Sequence, residues 1–431
     1  MESRGTGMLA ALLIVGLVIG AGIGYYAAPT KTVEVEVPGE TQTVEVEVKV
    51  PALSGTIPIG ALYANTGHID TSGVAAAIAI EDVNEYVKAL GLDLTFELVE
   101  ECAEGESTIA LEKFQSMVAR GVKAVAGPNW SGQCQAIKGY ADENHVVVFS
   151  EGSTSPVMAI ADDYIFRLPV TDSTQNSALA PAIYGMGIEH LVIVYRNDAW
   201  GDGNYETMLE LFEEAGGVVE DALRYDASKT EFAAEAAALN DVIVELNGLY
   251  GADKVGVATW TFEINAIFAA CKEYPALVDT IWFGSDGFGR STTLLDENPD
   301  AHETRFQAMI MGTIKSSRYK DFETKYLARS GGRLPGTYTT HMYDIVWLLC
   351  KSVLEAGVYD GAIIKEVLPT VAEQYFGACG WTKLNEYGDR AESNYELWTV
   401  ALNTTSGLPA WYISATYDSA SGALTWLIPP T

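Results

Sequence analysis

The sequence predicts an α/β protein with two doubly wound parallel sheets, preceded by one transmembrane helix. Its 431 residues exceed one domain of ordinary size, so two domains or more are expected. Apolar strands alternate with amphipathic helices in two series, a pattern typical of parallel sheets that carry helices on their faces. An uncharged apolar run, residues 8–28, is long enough to cross a bilayer.

The N-terminal segment is expected to anchor the protein. Arg4 precedes the apolar run and Lys31 follows it, so the positive-inside tendency weakly favours a cytoplasmic N-terminus and an extracellular body. The residues before Pro29 make a poor cleavage site, which favours an uncleaved anchor, residues 1–28, over a signal peptide.

Two similar segments follow, TVEVEVPGE from Thr32 and TVEVEVKVP from Thr43. Val and Glu alternate with the period of a strand, and Pro38 and Gly39 can start a turn between two strands. An isolated hairpin is marginal in water, and its Glu face repels itself. We therefore expect residues 29–55 to form a stalk, with self-pairing between molecules as the alternative.

The first strand–helix series begins after the stalk. Its helices are indicated by apolar residues that share one face, as at i, i+3, i+4 and i+7, and Gly91 and Gly121 end the first two of them. The predicted strands are 57–64, 94–98, 122–126 and 146–149, and the predicted helices are 74–90, one capped by Ser107 and Thr108, and 133–143.

A break near Pro169 separates this series from the second one. The same patterns predict strands at 191–195, 218–225, 254–259 and 280–283, with helices from Tyr205, Glu231 and Glu263.

Composition and motifs exclude several functions. The net charge of −32 disfavours binding to nucleic acid or anionic lipid through a general field. The sequence has no G-x-G-x-x-G after a strand, no G-x-S-x-G and no P-loop, and its five His lack metal-ligand spacing. No enzyme activity, metal site or cofactor is expected, and a two-lobed α/β enzyme is the remote alternative.

The loops after the predicted strands are the expected place for a ligand, because open parallel sheets bind ligands beyond their carboxyl ends. These loops carry hydroxyl groups, large aromatic residues and the acid Asp286. Ser131 and Gly132 open a helix, whose free N–H groups favour an anionic group. The set suits a small zwitterion, although Trp200 and Trp260 taken singly also fit a core, and Ser131 and Thr154 fit helix caps.

From Ile57 to about Asp389 the chain resembles the type I periplasmic binding proteins of the leucine/isoleucine/valine-binding family, which serve ABC transporters. Its motifs stand in the order of that family: GPNWSGQCQA at Gly127, SEGSTSP at Ser150, VYRNDAWGDGNYE at Val194, WFGSDGF at Trp282, YTTHMYDIVWLLCKSVLEAG at Tyr338 and FGACGWTKLNEYGDR at Phe376.

The resemblance implies a role for each residue of the site. Hydroxyls and backbone of the first lobe would bind a ligand carboxylate, two tryptophans of the second would form side walls, and Asp286 would meet the ammonium. Both walls are Trp where Tyr is common in the family, and the loop 65–73 looks shortened. The expected ligand-binding residues are Trp130, Ser131, Gly132, Gly152, Ser153, Thr154, Trp200, Trp260 and Asp286.

The resemblance also implies two lobes that close on the ligand around three crossings, near 169–172, 311–314 and 381–390. Lobe 1 would comprise residues 56–170 with 312–382, and lobe 2 would comprise 171–311 with 383–431.

The expected function is that of a membrane-anchored, extracellular substrate-binding component of an ABC importer. It would capture a branched-chain or related neutral amino acid and pass it to permease and ATPase partners. An amide-, urea- or amine-binding protein of the same fold and a ligand-sensing ectodomain are the alternatives.

Five cysteines in an exported body permit disulfides. Cys102 follows the second predicted strand and Cys134 lies in the loop after the third, at one edge of the sheet, so we predict that they pair. Cys350 and Cys379 form a second, weaker candidate pair, and Cys271 is expected to be buried and free.

Overall fold

A computed structural model describes residues 31–37, 40–46, 53–312 and 314–428. The predicted anchor, residues 8–28, lies outside these ranges. No helix in the described ranges is both long and apolar enough to cross a membrane. Within the predicted stalk, strands β1 (Lys31–Val37) and β2 (Glu40–Val46) pair antiparallel. The alternation of Val and Glu therefore indicated strands correctly, and the role of this hairpin as a stalk stays a prediction.

The first sheet has five parallel strands in the order β4-β3-β5-β6-β7. Helices cover both faces, because the apolar residues of each strand alternate between two separate cores. The strands are β3 (Gly55–Tyr63), β4 (Leu94–Cys102), β5 (Ala124–Ala126), β6 (Val147–Ser150) and β7 (Ile165–Arg167). One face packs against the helices Val74–Ala89, Ser317–Arg329, Thr337–Ala356 and Gly361–Glu373, and the other against Ser107–Ala119 and Ser131–Asn144.

The second sheet has eight strands in the order β17-β16-β15-β12-β11-β10-β8-β9. Its parallel part is β8 (His190–Arg196), β9 (Val218–Tyr225), β10 (Val255–Trp260), β11 (Ile281–Gly284) and β12 (Gln307–Met311). One face packs against the helices Asp172–Gly185 and Ala199–Glu214, and the other against Ala233–Tyr250, Ile264–Cys271, Pro275–Asp279 and Thr292–Glu297. Short helical turns lie at Thr66–His68, Ile69–Gly73, Pro156–Met158 and Pro299–His302.

The predicted parallel sheet is confirmed for β8–β12, and the antiparallel strands that follow them were not predicted. After the two-residue strands β13 (Phe376–Gly377) and β14 (Gly380–Trp381), the strands β15 (Tyr395–Leu402), β16 (Pro409–Asp418) and β17 (Ala423–Trp426) extend it antiparallel. Their connections are tight turns, one of them closed by the Gly407 N–H and the Asn403 carbonyl. Turns this short join antiparallel neighbours, because a parallel pair needs a crossover of a dozen residues or more.

The chain passes between the two sheets three times, after β7, after β12 and after β14. The first and third passages are joined by a buried ion pair, in which Arg167 donates to both carboxylate oxygens of Asp389 at 2.5 and 2.6 Å. The exact residue bounds of the two lobes stay a prediction; below, lobe 1 and lobe 2 denote the first and second sheet with the helices that pack on each.

The predicted Cys102–Cys134 disulfide is absent, and all five cysteines are free thiols. Cys134 packs in the core on the outer face of the first sheet and donates to the Pro128 carbonyl at 3.4 Å. Side chains alternate between the two faces along β4, so Cys102 lies on the same face as Leu94, Phe96 and Leu98. Those three residues pack in the opposite core. Cys102 ends β4 on one face of the sheet, whereas Cys134 lies in the helix Ser131–Asn144 that packs on the other face, and not in the loop where it was predicted. Cys350 and Cys379 are also unpaired, although both belong to one core.

Candidate ligand-binding site

A cavity of about 220 Å³ lies between the two sheets, at the carboxyl ends of their parallel strands. Lobe 1 contributes the loops after β3, β5 and β6 and the start of the helix Thr337–Ala356, and lobe 2 contributes the loops after β8, β10 and β11. A larger recess of about 620 Å³ is lined by residues that follow β12, by the third passage and by β15–β17, and it includes no residue of the loops that form the smaller cavity. The smaller cavity is lined by His68, Asn129, Trp130, Ser131, Gly152, Thr154, Trp200, Phe262, Asp286, Gly287 and Tyr338.

The lobe 1 end of the cavity is rich in hydrogen-bond donors. Ser131 is the first residue of the helix Ser131–Asn144, and its hydroxyl oxygen accepts from the Ser153 hydroxyl at 3.0 Å and from the Ser155 N–H at 3.3 Å. The Ser131 proton is therefore free to donate into the cavity. Within the described residues, the buried amide nitrogen of Asn129 has no partner. These donors and the open helix N-terminus suit an anionic group such as a carboxylate.

The three other predicted residues of lobe 1, Gly152, Ser153 and Gly132, differ in how close they lie to the cavity. Gly152 lines the cavity, and a Cβ there would lie 2.2 Å from the Asn129 amide nitrogen, so the loop requires glycine. Ser153 is fully buried behind Ser131, which it orients through the hydroxyl contact. Gly132 follows Ser131 in the helix without lining the cavity.

Three aromatic rings form a stack across the middle of the cavity. The Phe262 ring lies parallel to Trp200 with centroids 4.6 Å apart, and Trp130 stacks on Phe262 at 5.2 Å. Trp130 comes from lobe 1, while Phe262 and Trp200 come from lobe 2. Asp198 fixes Trp200 because its carboxylate caps the helix Ala199–Glu214. The stack gives an apolar wall that joins the two lobes.

The expected wall residue Trp260 does not reach the cavity. It is the last residue of β10, and its side chain is fully buried in the core that faces Asp172–Gly185. Every residue of β10 is buried, so the sequence gives no alternation from which to read the direction of this side chain. Phe262, two residues farther along in the loop, takes the position expected for Trp260.

We expect Phe262→Ala to weaken ligand affinity by about 2 kcal/mol, because the change removes the central ring of the stack. Trp260→Phe should instead lower the melting temperature and leave affinity within about twofold, since the side chain packs only in the core. Titration calorimetry on both variants checks this. Equal losses of affinity in the two variants would show that Phe262 is not the wall.

Asp286 lines the lobe 2 end of the cavity, and a second carboxyl group, that of Asp172, is buried close enough for its charge to act on Asp286. Asp286 accepts from the Gln175 amide at 3.1 Å and from the Tyr338 hydroxyl. Burial, and then the charge of Asp172, raise the pKa of Asp286 to about 8. Burial also raises the pKa of Asp172, against the lowering effect of hydrogen bonds from the side chains around it.

No cation balances this acid pair. Within the described ranges, neither carboxyl group has a Lys, Arg or His nitrogen within ion-pair distance. Arg290, the cation near Asp286 in sequence, lies over the Trp398 ring at 4.7 Å. Arg167 acts on Asp172 only at longer range and is bound to Asp389. An ammonium group on a ligand would supply the missing positive charge.

Five cavity residues were not among the predicted ligand-binding residues: His68, Asn129, Phe262, Gly287 and Tyr338. His68 lies in the loop after β3, where Asn65 caps a short helical turn and accepts from its backbone N–H. Burial lowers the pKa of His68, which keeps the imidazole neutral near pH 7. Tyr338 follows the first predicted site residue by more than two hundred positions, and only the fold brings it to the cavity.

Glu151 lies behind the lobe 1 loop and is fully buried. Neither carboxyl oxygen has a partner with hydrogen-bond geometry among the described residues, and burial, opposed by its own backbone N–H and the nearby Asn129 side chain, raises the pKa of Glu151 to about 8. The folded protein therefore holds a proton that the unfolded chain releases above its ordinary pKa of 4.5. The stability that this proton contributes is complete below about pH 4.5 and is lost as the pH rises from there through about 8.

Glu151→Gln should consequently flatten the decline of the melting temperature between about pH 4.5 and 8. Asp286 and Asp172 have raised pKa values too, so part of the decline should remain. Thermal melts of both proteins across this range check the effect. Parallel pH profiles for the wild type and the variant would contradict it.

Comparisons with known proteins agree with this architecture. The profile of the family described as "Receptor family ligand binding region" matches residues 71–403. The uncharacterized protein MJ1266 of Methanocaldococcus jannaschii is 27% identical over 394 residues, which cover 86% of this chain and 91% of that protein.

Two solved structures show the same fold at low sequence identity. The leucine-binding protein LivK of Thermotoga maritima superposes with a TM-score of 0.68 and 18% identity, over 86% of this chain and 99% of that one. An ABC transporter substrate-binding protein of Desulfitobacterium hafniense, in complex with Leu, gives a TM-score of 0.65 and 20% identity, over 83% of this chain and 100% of that one.

Proposed function

Since the chain belongs to the receptor ligand-binding region family and has the type I periplasmic binding fold, we propose that it captures a small neutral amino acid for an ABC importer. The observation that carries this proposal is the opposite chemistry of the two ends of the cavity. Donors meet at the lobe 1 end, and an acid pair without a cation lies at the lobe 2 end.

A zwitterionic amino acid matches both ends at once. Its carboxylate would accept from Ser131, Thr154 and the amide of Asn129, and its ammonium would donate to Asp286. The aromatic stack would border the side chain. A cavity of about 220 Å³ is below the roughly 300–1,000 Å³ of sites for drug-sized ligands, which favours a small metabolite.

We further propose that the protein is anchored in the membrane and acts with transporter subunits. The apolar run at residues 8–28 supports a membrane anchor and an extracellular body. The Desulfitobacterium hafniense protein, named as an ABC transporter substrate-binding protein, supports permease and ATPase partners. Copurification of the full chain with a permease would separate an importer component from a ligand-sensing ectodomain.

A thermal-shift screen of the full chain in detergent against the neutral L-amino acids tests the proposal. A ligand that binds only the folded state raises the melting temperature by mass action, by an amount that grows with its concentration over Kd. We expect at least one small neutral amino acid to produce this shift. The absence of a shift with every amino acid at millimolar concentration would refute the proposed ligand class.

An amine ligand is the second candidate, because the residues that line the cavity include the carboxyl group of Asp286 and no Lys or Arg. The screen separates the two candidates when each amino acid is paired with the amine that lacks its carboxylate. A larger shift with the amine would favour the second candidate.

A further inference from the structure

One hydrogen bond joins the two lobes across the cavity. The helix Thr337–Ala356 belongs to lobe 1, since Met342, Val346 and Val353 pack in the core of the first sheet. Its first turn differs, because the Tyr338 ring packs against the core of the second sheet. The Tyr338 hydroxyl donates to Oδ2 of Asp286, which follows β11 of lobe 2.

Asp286 is also the carboxylate that would bind the ammonium group of an amino acid. The Gln175 amide occupies Oδ1 of Asp286 at 3.1 Å, so both carboxylate oxygens already accept from the protein. Asp172, the second acid, is bound on one oxygen by the Trp200 indole at 2.8 Å and by Asn204 at 2.7 Å. Its other oxygen, Oδ1, has no partner among the described residues, but Asp172 does not line the cavity. A ligand ammonium at this end therefore meets Asp286, where the Tyr338 hydroxyl already occupies Oδ2.

We infer that the Tyr338 hydroxyl competes with the amino group of the ligand for Asp286, so that Tyr338 determines which ligands the site selects; this rests on the proposed function. A charged ammonium forms a stronger bond to a carboxylate than a neutral hydroxyl does, so an amino acid can displace the hydroxyl. Tyr338 is only half-buried, which leaves its hydroxyl a solvated position after displacement. A ligand without an ammonium leaves the Tyr338–Asp286 bond in place.

Tyr338→Phe isolates the hydroxyl, and Tyr343→Phe is the matched control. Tyr343 lies on the same helix and donates to Asp82 at 2.9 Å, but Asp82 is on Val74–Ala89, so this bond stays within lobe 1. Each change removes one hydroxyl that donates to an aspartate. Only the first removes a bond between the lobes at the cavity.

The probes are L-leucine and 2-hydroxy-4-methylpentanoate, which carries a hydroxyl in place of the amino group. Calorimetry on the full chain should show that Tyr338→Phe tightens L-leucine binding about tenfold, the effect of one hydrogen bond to a charged group. Binding of the hydroxy acid should change by less than about twofold. Tyr343→Phe should alter neither affinity.

An unchanged or weaker affinity of Tyr338→Phe for L-leucine would overturn the inference, and so would equal gains for both probes. If Tyr338→Phe does not fold, Tyr338→Leu removes the same hydroxyl and carries the same expectation.

Hydrogen exchange without added ligand gives a readout that does not depend on the proposed ligand. Removal of the bond between the lobes should speed exchange at residues 129–132 and 286–289 in Tyr338→Phe, and Tyr343→Phe should match the wild type there. If L-leucine and the other neutral amino acids fail to bind the wild type while this exchange still increases, the ligand class is wrong and the contact between the lobes stands. Unchanged exchange overturns the contact itself.

Discussion

Replacement of Asp286 by Asn is expected to weaken binding of an amino acid by at least tenfold. The change removes one side of a buried charged pair, and such truncations cost about 2–5 kcal/mol. The variant should stay folded, because it removes a carboxyl group whose pKa is raised by burial and then by repulsion from Asp172. Its melting temperature without ligand should equal or exceed that of the wild type near pH 8.

Titration calorimetry on both proteins measures the loss, and the hydroxy acid analogue of the ligand serves as a control. That analogue lacks the ammonium, so its affinity should differ little between the wild type and Asp286→Asn. Equal affinities of the two proteins for the amino acid would remove the main physical support for the amino-acid assignment.

Asp389→Asn should lower the free energy of unfolding by about 3–5 kcal/mol, because it leaves the guanidinium of Arg167 buried without its partner. Both side chains are almost fully buried, and burial raises the pKa of Asp389 in spite of the neighbouring Arg167. Desolvation therefore offsets much of the attraction within the pair. The loss should come mainly from the unpaired charge.

The double variant Arg167→Met/Asp389→Leu tests this cause. It removes both charges and should recover most of the stability lost in Asp389→Asn, as measured by urea unfolding. Arg167 also donates to the Ser155 carbonyl at 2.7 Å, so the double variant should still bind ligand more weakly through a less ordered loop. A double variant no more stable than Asp389→Asn would assign the loss to packing instead.

The parallel part of the fold could be predicted because its signals are local. The strand predicted at 218–225 is β9 residue for residue, and the other predicted strands of both series differ from the observed ones by a few residues at their ends. Local signals were weaker at helix starts. Ser107 is the first residue of its helix rather than the cap, which is Glu106 and makes no side-chain hydrogen bond.

The candidate site was predictable to the extent that loops at strand ends supply it. Trp130, Ser131, Thr154, Trp200 and Asp286 all line one cavity. The residues that sequence reasoning missed depend on the direction of a side chain or on contacts distant in sequence.

The direction of the side chain decides that Phe262, and not Trp260, reaches the cavity. It also decides that Cys102 and Cys134 lie on opposite faces of the first sheet. A fully buried strand such as β10 has no polar alternation that would reveal this direction. Contacts distant in sequence bring Tyr338 to Asp286 across the lobes.

The central claim is that one ligand spans the cavity with its carboxylate at lobe 1 and its ammonium at lobe 2. Calorimetry of the wild-type full chain with the best amino acid of the screen, and with its analogues that lack either charged group, tests this most directly. The account predicts that each analogue binds at least about tenfold more weakly than the amino acid, since each leaves one end of the cavity unpaired. Affinity of either analogue equal to that of the amino acid would contradict the two-ended site.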